Sequence, residues 1–97
     1  MMEDNMKTAK KNEVIEWNNK KYKMPFDIAY ELDSDGKMKV EVIDNRFSGD
    51  SCSLPSFAVA VYDTIIGCEM TKQFNIMQKG ITWFSKNFTS QYYVLLD

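Results

Sequence analysis

Between Phe26 and Val42, large apolar residues recur at every second position. Phe26, Ile28, Tyr30 and Leu32 alternate with Asp27, Ala29, Glu31 and Asp33, and Met38, Val40 and Val42 alternate with Lys37, Lys39 and Glu41. A period of two marks strands with one buried face. A two-residue Asp35-Gly36 loop would pair Leu32 with Lys39 and mix the faces. A three-residue loop, Ser34-Asp35-Gly36, pairs Leu32 with Met38, Tyr30 with Val40 and Ile28 with Val42, and it predicts a left-handed Gly36 in a bulged turn.

Residues 13–24 predict a second, tighter hairpin. Asn18-Asn19 supplies the two positive φ angles of a type I′ turn, which pairs Trp17 with Lys20, Glu16 with Lys21 and Ile15 with Tyr22. That register puts Ile15, Trp17, Tyr22 and Met24 on one face. Pro25, unable to donate to a ladder, marks the strand end. The stretch 44–53, rich in Asp, Asn, Ser and Gly, reads as a loop carrying one large apolar residue, Phe47.

The period then changes. Ala58, Val61, Ile65 and Cys68 form a helical stripe over 54–71, with Ser53 as the expected cap and Gly67 as a candidate end, while strand is the alternative for 57–62, where Val and aromatic residues are dense. Phe74, Met77, Ile81, Phe84 and Phe88 step by three and four over 72–88, and Gly80 within that stretch, which costs about 1 kcal/mol relative to Ala, leaves room for close packing. One bent helix and two helices fit 54–88 equally well. Residues 91–96, apolar on both faces, read as a covered final strand. The expected fold is α+β: an antiparallel sheet of two β-hairpins plus a C-terminal strand, packed on one face by one or two helices. Ile28, Tyr30, Leu32, Val40 and Val42 are expected to meet Phe74, Met77, Ile81 and Phe84. Residues 1–12 are expected to be a flexible N-terminal tail, and residues 13–97 a single domain.

A chain of 97 residues has room for one modest core. Net charge is −2, unevenly spread. Residues 1–25 carry six Lys against four acids, residues 26–55 seven acids against three bases, and the remainder balances. Eleven of the twelve bases are Lys and Arg46 is the one Arg, which weakens any reading built on bidentate phosphate contacts. No apolar run reaches the length of a membrane span. The polar start, Met1 to Lys11, lacks the apolar core of a targeting segment. The expectation is a cytoplasmic protein with Cys52 and Cys68 reduced.

Candidate chemistry is sparse. The chain has no histidine, so Ser-His-Asp and Cys-His arrangements and the commonest general base are excluded, and zinc ligands are lacking. Asp33-Ser34-Asp35-Gly36 reads as a hairpin turn, because a calcium loop needs a bidentate Glu where Asp44 stands. No catalytic residue, metal or cofactor is expected, and the chain is read as a non-enzyme.

Aromatic content points to recognition instead. Six Phe, five Tyr and two Trp are many for one small core. Trp83 and Ile76 lie off the Phe74–Phe88 stripe, and Phe47 follows Arg46 in a polar loop; these four are the candidate partner-binding residues. The leading expectation is a small protein-binding modulator or inhibitor. In type, not by any motif, it looks like accessory proteins of phages and mobile elements that act on host defence proteins. The alternative is a nucleic-acid-binding module that uses Lys20, Lys21 and Lys23 beside Trp17 and Tyr22. A third reading is a homodimer formed through spare aromatics.

Overall fold

A computed structural model describes residues 5–45 and 47–96. The fold is α+β. Six strands run β1 (Met6–Ala9), β2 (Val14–Trp17), β3 (Lys20–Lys23), β4 (Ile28–Glu31), β5 (Val40–Asp44) and β6 (Ser51–Pro55). Three helices follow, α1 (Ser56–Thr71), α2 (Phe74–Asn87) and α3 (Thr89–Leu95). The strands form three antiparallel pairs, β1–β4, β2–β3 and β5–β6, rather than one sheet.

The β2–β3 hairpin has the expected register, with Trp17 opposite Lys20, Glu16 opposite Lys21 and Ile15 opposite Tyr22. Asn18 and Asn19 sit at φ 52° and 65°. Ile15, Tyr22 and Met24 are buried and Trp17 packs beside them.

The second hairpin closes as expected only at its tip. Gly36 is left-handed at φ 78°, Leu32 bridges Met38, and the Asp33 carboxylate accepts the Asp35 and Lys37 N–H groups at 2.9 and 3.0 Å. Beyond the tip the strands diverge. β4 pairs with β1, so residues 6–9 are a strand where a tail is expected, and Ala9 is buried opposite Ile28. Residues 1–4 of the expected tail lie outside the described residues. β5 pairs with β6, which takes Ser51–Ser53 from the expected loop and Leu54 and Pro55 from the expected start of the helix, setting Glu41 opposite Leu54 and Ile43 opposite Cys52. Leu54 is wholly buried and draws that face inward. Since the side-chain period is two, Val40 and Val42 are turned out to solvent, 52% and 67% exposed, instead of meeting the helices.

The stretch 54–88 is two helices. Lys72, left-handed at φ 61°, ends α1 by donating its N–H to the Cys68 and Glu69 carbonyls, so the helix passes through Gly67. Ser53 does not cap it. Pro55 occupies the cap position, and the Ser56 hydroxyl accepts the Glu31 N–H at 2.8 Å, tying α1 to β4. Ala58, Val61, Ile65 and Cys68 are all buried as expected, and so is Phe57. Gly80 of α2 packs against Ile65 of α1. Phe74, at the outer end of the α2 stripe, is 57% exposed, whereas Phe84 and Phe88 are buried.

The expected C-terminal strand is a helix, α3. Phe88, Tyr92 and Leu95 step by four and three. Backbone bonds Phe88 to Phe84, Tyr92 to Phe88 and Leu96 to Tyr92, all 2.8 Å, carry helical bonding on past the bend at Phe88, whose φ of −134° separates α3 from α2. Side chains also fasten the turns. The Thr89 hydroxyl donates to the Ser85 carbonyl at 2.7 Å, and Asn45 reaches across from the β5–β6 loop to the Val94 carbonyl at 2.7 Å. A run apolar on both faces suits a short covered helix as well as a strand, and packing beside β6 decides it.

Phe57, fully buried, is the hub of the core. Its ring centroid lies 5.0 Å from Tyr22, 6.0 Å from Phe88, 6.1 Å from Trp17 and 6.2 Å from Trp83. Tyr22 stacks on Phe88 at 5.4 Å and 12°. This cluster joins the β2–β3 hairpin to the helical layer and absorbs much of the aromatic surplus.

Candidate functional site

The cluster also decides where a surface site can lie. Trp83, expected at a partner interface, is 8% exposed, and its indole N–H donates to the Lys23 carbonyl at 2.8 Å. It is therefore a core residue with one edge outward, and the bond locks β3 against α2. Trp17 is half-buried and Tyr22 buried, so neither offers a free ring for stacking on a base. Lys20, Lys21 and Lys23 are exposed.

Beside the Trp83–Lys23 contact runs an open groove of about 900 Å³. The hairpin side supplies Lys21, Lys23 and Pro25. The α2 side supplies Asn75, Gln78, Lys79, Thr82, Trp83, Lys86 and Asn87. Asn75, Lys79, Thr82 and Lys86 follow one another by four, three and four and so share one helix face. Four lysines line the groove, and no carboxylate is among the described residues lining it. Ile76, 38% exposed, stands one turn before Lys79 on α2 at the margin of this face. The structure thus brings Trp83, Lys21 and Lys23 together, with Ile76 nearby, and leaves Lys20 outside the groove.

Phe47 lies elsewhere. It is 90% exposed in the β5–β6 loop, shaped by Asn45, whose side-chain oxygen accepts the Phe47 N–H at 2.8 Å. It borders a separate cavity of about 660 Å³ with Asp44, Tyr62, Asp63, Glu69 and Leu95. Arg46 lies outside the described residues. Burial, and secondarily the charge of Glu41, holds the Asp63 carboxyl above the usual carboxylate range.

Two groups with nucleophile chemistry are placed where they are ill suited to it. Cys52 sits half-buried in β6, and burial pushes its thiol up, away from the reactive thiolate. Cys68 is buried in α1, and both thiols are free. The described residues contain no group of His, Cys, Asp and Glu that could hold a metal ion, and no helix long and apolar enough to cross a membrane.

Lys79 and Lys86 are not reached by sequence reasoning, although a signal exists. The polar stripe Asn75-Lys79-Thr82-Lys86 is as regular as the apolar stripe opposite. A polar stripe is ordinarily a solvated face, and only the fold sets it beside Lys21 and Lys23. No protein-family model, curated protein or solved structure matches this chain.

Proposed function

We propose that this protein is a small non-enzymatic module that binds another protein and modulates it, contacting an acidic surface of that partner through the groove between β3 and α2. The observation that carries this reading is that Lys21, Lys23, Lys79 and Lys86 line one groove free of carboxylates among the described residues. Exposed ammonium–carboxylate pairs contribute only about 0.2–1 kcal/mol each. Charge therefore steers and selects the partner, and affinity depends on apolar contact with Pro25, Ile76 and the edge of Trp83.

The same groove would attract a nucleic acid, but three features weigh against it. The rings beside the lysines are turned into the core, guanidinium groups are scarce, and the chain as a whole is acidic. The narrower reading, an accessory protein of a phage or mobile element that inhibits a host defence protein, fits the size and the want of catalytic chemistry. The identity of the partner decides it.

Affinity capture from source-cell lysate, split into nuclease-treated and untreated halves, tests the proposal. A stoichiometric protein partner that survives nuclease is expected, released as salt is raised. Partners lost after nuclease, with nucleic acid recovered from the untreated half, would overturn it.

A further inference from the structure

The edge of β3 gives the groove a second means of recognition. Residues of an antiparallel pair alternate between those that exchange backbone hydrogen bonds with the partner strand and those whose N–H and C=O point away. The Met24 N–H donates to the Glu13 carbonyl at 2.9 Å. With the β2–β3 register, this turns Met24, Tyr22 and Lys20 toward β2 and turns Lys21 and Lys23 to the free edge. The Trp83 indole agrees, because the carbonyl it finds is that of Lys23. Among the described residues it is the one group bonded to this edge.

The Lys21 N–H and carbonyl and the Lys23 N–H thus face outward, the Lys23 carbonyl being taken by Trp83, and the two residues are also two of the four lysines that line the groove. We infer that this edge receives an extended acidic segment of the partner protein, added to the hairpin as a third strand beside β3. The inference rests on the groove being the contact surface and specifies how the contact is made. Backbone pairing supplies affinity, and alternate side chains supply specificity. Carboxylates on one face of the added strand meet the lysines, and the residues between them meet Pro25 and the margin of α2. From Asn75 to Lys86 the α2 wall runs about 16 Å at about 1.5 Å per residue, which matches about five residues of extended chain at about 3.3 Å each. A nucleic acid has no alternating amide donors and acceptors to offer such an edge.

Amide-resolved NMR titration of the full chain tests the inference. The probes are a capped heptapeptide alternating Glu and Val, two versions N-methylated on one or the other set of alternate amides, and oligo-dT. The unmodified peptide is expected to shift the Lys21 and Lys23 amides and to slow hydrogen exchange at Lys21. One of the methylated versions, which cannot donate from its pairing edge, is expected to bind about tenfold more weakly or less. Equal affinity of all three peptides, or unaltered exchange at Lys21, overturns the added strand and leaves the groove standing as a contact surface. No peptide binding at millimolar concentration also overturns the added strand. Binding of oligo-dT alone overturns the strand and the protein-binding reading together.

Discussion

Phe57→Ala is expected to lower the free energy of unfolding by about 3–5 kcal/mol, against a total of about 5–15 kcal/mol for a domain of this size. The ring is completely buried and contacts Trp17, Tyr22, Trp83 and Phe88. Removing it deletes the transfer energy of a large side chain and leaves a void that four stiff rings cannot fill by small shifts. Edge-to-face and offset pairs add about 0.5–1.5 kcal/mol beyond area burial. Phe57→Leu keeps much of the volume and loses only the ring geometry, so a substantially smaller loss is expected. Urea unfolding followed by tryptophan fluorescence measures both variants. A loss under about 1 kcal/mol for Phe57→Ala would show that Phe57 is not the hub.

The second large effect concerns two helical glycines that should respond with opposite sign. Gly67 in α1 has open space around the position of a Cβ, so Gly67→Ala should stabilise by about 1 kcal/mol through helix propensity alone. At Gly80 a Cβ would lie 2.6 Å from Ile65 Cγ1 and 3.2 Å from its Cδ1. Cγ1 is next to the branch point of a buried β-branched side chain and cannot swing aside without a change of χ1. Overpacking costs about 1–3 kcal/mol, so it cancels or exceeds the propensity gain, and Gly80→Ala should destabilise. Adding Ile65→Ala should remove that penalty, so the cost of Gly80→Ala should fall in the Ile65→Ala background, a coupling that a double-mutant cycle reads directly. A gain in stability from Gly80→Ala alone would show that α1 and α2 do not approach this closely.

Not every part of the fold is equally legible in the sequence. The β2–β3 hairpin is legible, because the Asn18-Asn19 turn and the alternation of Ile15, Trp17, Tyr22 and Met24 point to the same register. The sequence marks Gly80 as a place where close packing has room, but that α1 brings Ile65 there is not legible from the chain. Strand pairing beyond the Gly36 turn is not legible either. Whether β4 takes β5 or β1 depends on residues far apart in the chain, and Met6–Ala9 has no apolar alternation to announce it. Val40 and Val42 look inward by local pattern, and Leu54, which reads as the start of the helical stretch and is instead a buried residue of β6, turns them out. The Tyr92–Leu96 stretch has β-favouring residues on both faces, and its helical spacing from Phe88 acquires meaning only through the burial of Phe88 in the core.

The candidate site divides the same way. Lys21, Lys23 and Trp83 stand out from composition and periodicity, yet Trp83 proves to be the fastening between β3 and α2 rather than an exposed anchor. Lys79 and Lys86 become visible only because that fastening, spanning 60 residues of chain, lays the polar face of α2 along the hairpin edge.

The most direct test is therefore the binding of the captured partner by wild-type protein and by Lys79→Glu/Lys86→Glu, with circular dichroism confirming that the variant is folded. Both lysines lie on the surface face of α2 and neither packs in the core, so stability should be nearly unchanged. If the groove is the contact surface, reversing these two charges should weaken binding by about tenfold or more and flatten its salt dependence. Unchanged affinity in a folded variant would contradict it and move the contact surface away from the groove.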